Sequence, residues 1–263
     1  MKYPEKVKEH IIEWLKKYIS EANQNGFIIG VSGGVDSAVT STLCALTEFP
    51  VYAIEMSIHQ NKNQISRAKE HLKWLKKNYK NVKIISHSLT NVFESFKGEL
   101  IKQNKHNLDL LSLANTRARL RMITLYYFAG YYKSLVVGTG NKVEDFGIGF
   151  YTKHGDGAVD LCPIADLLKS DVYSLASHLK IISSIQKAIP ADGLWDDNRT
   201  DEEQIGAKYS SIEEAMNLIS NNVPIENLTK KQAATRMIYL KLNNKNQHKM
   251  LPIPICKIPK KIL

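Results

Sequence analysis

Three cysteines in 263 residues, Cys44, Cys162 and Cys256, are too few and too far apart for a disulfide framework, and they form no Cys-x-x-Cys pair. They read as reduced thiols, which places the chain in the cytoplasm. No stretch approaches the ~20 apolar residues of a membrane span. The start, "MKYPEKVKEHIIEWLKKYI", lacks the apolar core of a signal peptide and reads as an amphipathic helix with Ile11, Ile12, Leu15 and Ile19 on one side. The eight histidines show no metal-ligand spacing. No internal repeat or low-complexity linker is present, so 1–263 is expected to be one domain.

What is abundant is ordinary. Apolar residues make up 43% and charged residues 24%, as in globular proteins, and the length allows a substantial core. The net charge of +10 is compatible with nucleic acid, an anionic membrane or a polyanionic small molecule. Most lysines sit in "KVKEHIIEWLKKY", "RAKEHLKWLKKNYKNVK" and "CKIPKKIL", which read as helix surfaces and a tail. Tyr126, Tyr127, Phe128, Tyr131 and Tyr132 read as packing or a subunit interface, not as a base-stacking platform. Neither nucleic acid nor membrane is the expected partner.

Apolar runs alternate with helical patterns. "GFIIGVS", "PVYAIEMS", "NVKIISHSL" and "SLVVGTGN" read as strands. "DSAVTSTLCALTE", "KNQISRAKEHLKWLKKNY", "NVFESFKGELIKQ" and "NTRARLRMITLYYFAGYYK" read as helices between them. This alternation implies a doubly wound α/β fold, a parallel sheet with helices on both faces. Ligands of such sheets sit at the carboxyl ends of strands, where the strand order switches. "DFGIGFYTKHGDGAVDLCPIADL" then reads as loops over that cleft, and "PADGLWDDNRTDEEQIGAKYSS" as polar and mobile. "KSDVYSLASHLKI", "SIEEAMNLIS" and "KKQAATRMIYLKLN" read as helices, the last two short. The prolines of "PIPICKIP" exclude regular helix.

The chemistry begins at "SGGVDS". Gly33 and Gly34 let backbone N–H groups approach an anion, Ser32 and Ser37 add hydroxyls, and the helix starting near Val35 points its positive end at the same place. Phosphate repels Asp36 unless a divalent cation lies between them, so Asp36 suits magnesium. The alternative is a plain strand-to-helix turn. No lysine follows the glycines, so this is not the Walker loop.

The loop resembles that of the N-type ATP pyrophosphatases, which split ATP between the α and β phosphates. "NTRARLRM", "GTGNKVE", "TKHGDGAVDLCPI", "LLKSDVY", "GLWDDNRTDEEQIGAKY" and "NQHKMLPIP" follow in one order. Together they resemble the ammonia-dependent NAD synthetases, from about Gly26 to Pro254. The resemblance implies a homodimer with a flavodoxin-like sheet of the adenine nucleotide alpha hydrolase type. It implies adenylation of deamido-NAD by ATP with magnesium, then displacement of AMP by ammonia. It assigns Gly30, Val31, Ser32, Gly33, Gly34, Val35, Asp36 and Ser37 to ATP, with Thr139 and Lys169. It places Asp36 and Glu144 on magnesium. It puts Arg119, Lys153, Asp160, His248 and Lys249 on deamido-NAD. Asp156, in the glycine-rich loop, is expected to orient or deprotonate ammonia, and Lys169 to act on the phosphates in catalysis.

The bland readings stand beside these. Arg117 and Arg121 read as surface charge, whereas Arg119 sits in an apolar stripe of Leu120, Ile123 and Leu125. Glu144 beside Asp145 is alternatively a solvated turn, and His154 a satisfied polar residue. One departure from the family pattern is Ala191 in "IPADGLW", where Ser or Thr is common; Asp192 is the alternative contact. A lost neutral hydrogen bond costs only ~0.5–1.5 kcal/mol, so activity is expected to survive. Two rivals share the loop: a tRNA-modifying ATP pyrophosphatase, disfavoured by the absence of a Cys-x-x-Cys pair and a separate basic domain, and a non-catalytic nucleotide-binding regulator. No second domain that releases ammonia from glutamine is expected.

Overall fold

A computed structural model describes residues 1–103, 109–195 and 199–262. Four parallel strands, β1 (Phe27–Gly30), β2 (Val51–Glu55), β3 (Val82–Ser86) and β4 (Leu135–Val136), lie in the order β3-β2-β1-β4. Phe27 pairs with both Val51 and Leu135, so β1 is central. The chain winds outward from β1 through β2 to β3, then crosses back to β4 on the other side of β1. The switch in direction lies between β1 and β4, where a doubly wound sheet opens its ligand crevice.

The strand period of two decides which helices pack where. Phe27, Ile29, Val51 and Ala53 face one cluster with α1 (Pro4–Glu21), α2 (Val35–Leu46), α3 (Lys62–Asn78), α6 (Lys169–His178) and α7 (Ser183–Gln186). Ile11, Leu15 and Ile19 supply the buried side of α1, as their spacing predicts; Ile12 is only partly buried. Ile28, Tyr52 and Ile54 face the opposite cluster with Phe93 of α4 (Thr90–Gln103) and with Leu113 and Ala129 of α5 (Leu110–Tyr132). Asp109 caps α5 through Leu111 and Ser112, so this helix begins earlier than "NTRARLRM" suggests.

A third cluster joins Val143, Ile148, Ile205, Tyr209 and Ile212 to the partly buried Ile238, Tyr239 and Leu242. It packs α9 (Tyr209–Ser220) on α10 (Lys230–Met250). α10 runs through His248 and Lys249, longer than the pattern predicts, and Thr229 caps it. Two expectations are corrected here. Glu144–Ile148 is a π-helical turn, not a loop, closed by Ile148 N–H donating to Val143 O at 3.0 Å and ended by Gly149 at φ 64°. Asp201–Ile205 is a short helix, α8, capped by Thr200 and Glu203, with Asp201, Ile205 and Tyr209 buried. Residues 196–198 of the segment read as mobile lie outside the described residues.

Candidate active site

Residues 31–34 connect β1 to α2 at the switch point. Gly33 has φ 86°, open to glycine, and a Cβ there would stand 2.5 Å from Gln64 O. The loop is braced internally: Gly34 N–H donates to Ser32 Oγ at 3.2 Å, and Ser37 Oγ donates to Gly34 O at 3.0 Å. Gly30, Val31, Ser32, Gly34, Val35, Asp36 and Ser37 line a cavity of about 260 Å³. Gly33 does not; it packs against α3, where Arg67 donates to its carbonyl at 3.3 Å.

Thr139, Glu144, Asp156 and Lys169 line the same cavity. Lys169 opens α6, and its Nζ lies 2.6 Å from Asp36 Oδ2 and 2.8 Å from Glu144 Oε1. Burial works against the ammonium, but the two carboxylates outweigh it and raise its pKa. Asn141 donates to Asp36 Oδ1 at 3.0 Å, and its own side-chain oxygen accepts from Val143 and Glu144 N–H at 3.1 and 3.0 Å. One asparagine thus ties the β1 loop to the π-helical turn. Glu144 is not a solvated turn residue; it sits at the centre of this network.

Tyr209 adds a second layer. Its hydroxyl donates to Glu144 Oε1 and lies 3.3 Å from Asp201 Oδ2. One phenolic proton cannot serve two carboxylates. The set is satisfied when Asp201 keeps its own proton, and burial, followed by the charge on Glu144, pushes Asp201 up to about 7. Burial raises Asp145 and Asp156 as well, and Asp145 is raised further by the charges of Asp156, Glu144 and Asp36. Thr152 N–H donates to Asp156 Oδ1 at 2.9 Å.

The arginines of α5 reverse the expectation. Arg117 and Arg121 are not surface charge. Arg117 is 8% exposed and donates to Leu194 O at 2.6 Å. Arg121 lines the cavity and donates to Met56 O at 3.0 Å, and its Nη2 is buried without a hydrogen-bond partner. Burial lowers its pKa to about 10. Arg119 is exposed outside the cavity, and its supposed apolar neighbour Ile123 is 58% exposed. Arg119 donates to Lys153 O at 3.3 Å, and Lys153 Nζ donates to His248 O at 2.7 Å. Three of the five residues expected on deamido-NAD therefore form one cluster beside the cavity. Lys249 donates to Gly149 O and Tyr151 O, and burial lowers its pKa. Asp160 stands apart from the cavity: it accepts from Val136 N–H at 2.7 Å and from Tyr126 OH at 3.1 Å, capping β4. Asp192 lines the cavity, but its carboxylate already accepts from Leu194 N–H and Gln204 at 2.9 and 3.1 Å.

The NAD synthase family model matches residues 7–252. The chain belongs to the NAD synthase family. The chain is 34% identical over 251 residues to the NH(3)-dependent NAD(+) synthetase of Methanocaldococcus jannaschii, covering 93% of this chain and 94% of the relative. It is 36% identical over 244 residues to the corresponding synthetase of Carboxydothermus hydrogenoformans, covering 92% and 93%. The NMN synthetase of Francisella tularensis superposes with a TM-score of 0.82 at 28% identity, covering 98% of each chain. As a NAD synthase family enzyme, a ligase, the chain has its nucleotide loop where the sheet switches direction.

Sequence reasoning missed Asn141, Arg121, Asp145, Asp201 and Tyr209. Two left a signal. Asn141 stands three residues before Glu144, the spacing of an asparagine that caps a helical turn. Asp201 stands inside a Thr-x-x-Glu capping box, Thr200 to Glu203, a helix-start signature hidden in polar text.

Proposed function

We propose that the chain amidates deamido-NAD to NAD with ATP and ammonia, through an adenylated nicotinate, releasing AMP and pyrophosphate. The observation that carries this is the buried Lys169 ammonium between Asp36 and Glu144, at the floor of a cavity that the glycine-containing loop enters.

The donor set fits a magnesium ion. Asp36 and Glu144 come from two elements and converge on one point, where Lys169 shows that positive charge is accommodated. Among the described residues no three His, Cys, Asp or Glu form a metal cluster, and magnesium is commonly held by one or two carboxylates with phosphate oxygens. Magnesium bound there supplies charge neutralisation of the phosphates and the departing pyrophosphate. The 31–34 loop and the start of α2 offer N–H groups and a helix dipole to the phosphates. Lys169, drawn toward those oxygens, carries charge to the leaving group. Arg121 Nη2 is a buried donor on the cavity wall. Arg119, Lys153 and His248 are placed to meet the part of the dinucleotide that extends beyond the cavity. Asp156 and Asp145, kept protonated longer by burial, border the site where ammonia must arrive without water. The 147–157 and 191–206 segments are the proposed lids.

The chain is proposed to work in the cytoplasm as a homodimer, since α5 exposes Ile123, Tyr127 and Tyr131 at 58%, 66% and 70%. Among the described residues no helix is long and apolar enough to cross a membrane. A second acceptor, nicotinate mononucleotide, is favoured by the name of the Francisella neighbour alone.

The deciding experiment measures pyrophosphate release from ATP, magnesium and ammonium with deamido-NAD, with nicotinate mononucleotide, or with neither. Release with deamido-NAD and equimolar NAD supports the reading. Release with the mononucleotide alone replaces it. No release with either acceptor returns tRNA as the acceptor to test.

A further inference from the structure

The ion pair with Lys169 holds the Glu144 carboxylate through one oxygen, which by itself does not fix the plane of the group. A second contact fixes it. Tyr209, 8% exposed in the third cluster, donates its hydroxyl to the same Oε1 that Lys169 approaches at 2.8 Å. Lys169 Nζ also sits 5.0 Å from the Tyr209 ring centroid, so the ring bounds the space in which the ammonium can move. On its far side the hydroxyl meets Asp201 Oδ2 at 3.3 Å. Asp201 is 6% exposed, lines the cavity, and its Oδ1 is buried without a hydrogen-bond partner. The chain therefore buries a phenol and a carboxyl in a row behind one oxygen of Glu144, from a segment that the β1 loop and α6 do not contain. Neither residue holds ATP, deamido-NAD or metal in the reading above.

We propose that Tyr209, backed by Asp201, is a positioning residue that holds the Glu144 carboxylate in the orientation the divalent cation of ATP requires. Asp201 sets the direction of the Tyr209 O–H, and the O–H sets Glu144. This deepens the functional reading and rests on it for the role of Glu144.

The test uses the full chain and Tyr209→Phe, which removes one oxygen and keeps the packed ring. Binding of Mn²⁺ is followed by electron paramagnetic resonance with α,β-methylene-ATP present, and pyrophosphate release by steady-state kinetics. The expected result is an Mn²⁺ Kd raised about tenfold, in keeping with loss of one hydrogen bond to a charged group. kcat falls by a similar factor, and KM for deamido-NAD stays within about twofold. Tyr209→Phe combined with Glu144→Gln weakens Mn²⁺ no further than Glu144→Gln alone, because both act on one group. Asp201→Ala shifts Mn²⁺ affinity in the same direction, and Asp201→Asn, which keeps a hydrogen-bonding amide, lies nearer the wild type. Unchanged Mn²⁺ affinity in Tyr209→Phe, or additive losses in the double variant, overturns the proposal. If Tyr209→Phe does not fold, Asp201→Ala against Asp201→Asn decides by the same binding readout. If the wild type releases no pyrophosphate with deamido-NAD, the functional reading fails on its own, and Mn²⁺ binding still judges Tyr209.

Discussion

Lys169 is 3% exposed, with its charge held by two carboxylates. Lys169→Met keeps the stem volume but leaves Asp36 and Glu144 facing each other with no cation. Breaking a buried pair from one side costs roughly 3–5 kcal/mol. Calorimetry is expected to show that loss as a lowered Tm, partly restored by magnesium, which pulls the same two carboxylates together. Asp201 gives a pH signature. Its folded carboxyl keeps a proton up to about pH 7, whereas the unfolded one releases it near 4. Between those values the folded state binds more protons, so stability falls as pH rises through that window and levels off above it, by on the order of 4 kcal/mol. Asp201→Asn removes the contribution. Unfolding at pH 5 and pH 8 is expected to show a larger drop for wild type than for the variant. At this scale Asp36, Glu144 and Lys169 were legible because short motifs name them. Arg121 was not: a charge in helical text looks the same whether it faces water or a cavity.

At the scale of elements, the strand-to-helix turn after β1 depends on Gly33. An alanine there places its Cβ 2.5 Å from a backbone carbonyl of α3 and 3.0 Å from Ala68 N, in a left-handed conformation. Strain of this kind costs on the order of 1–3 kcal/mol. Gly33→Ala is expected to lower Tm by several degrees, at ~2–4 °C per kcal/mol for a chain of this size, and to weaken ATP binding measured by calorimetry, because α3 and the loop must part. Strands and helices of the sheet were readable from alternation of apolar runs, and the period of two along Phe27, Ile28 and Ile29 assigns them to opposite faces. The 144–148 turn and α8 were not readable. The turn is held by Asn141 and by distant α10 (Asn243 donates to Gly147 O at 2.6 Å and Asn246 to Ile148 O at 2.8 Å), and local propensity carries no trace of such support. α8 is a five-residue helix whose one local mark is the Thr200–Glu203 capping box, too short a pattern to stand out in polar text.

For the whole molecule, the +10 net charge conceals a reversed sign within the site. Asp36, Glu144 and Asp192 line the cavity against Lys169 and Arg121, and Asp145, Asp156 and Asp201, whose protons burial holds longer, add acidic groups to the same wall. Polyphosphate therefore enters favourably only together with cations, while the basic exterior draws it toward the mouth. The remaining apolar surface has a different use. Ile123, Tyr127 and Tyr131 recur along one exposed side of α5, the helix that also presents Arg119. Three large side chains left in water on the helix that carries Arg119, the proposed deamido-NAD contact, are explained if a second copy covers them, in an interface of at least ~1,000 Å². Tyr127→Glu with Tyr131→Glu puts two charges into that contact, and burying unpaired charge is prohibitive. Sedimentation velocity is expected to show a dimer for the wild type and a folded monomer for the double variant. Because Arg119 and its partners Lys153 and His248 lie beside this face and not inside the cavity, the monomer is expected to lose affinity for deamido-NAD more than for ATP. A wild-type monomer with full activity would assign the aromatic face to another partner and leave the Arg119 cluster complete within one chain.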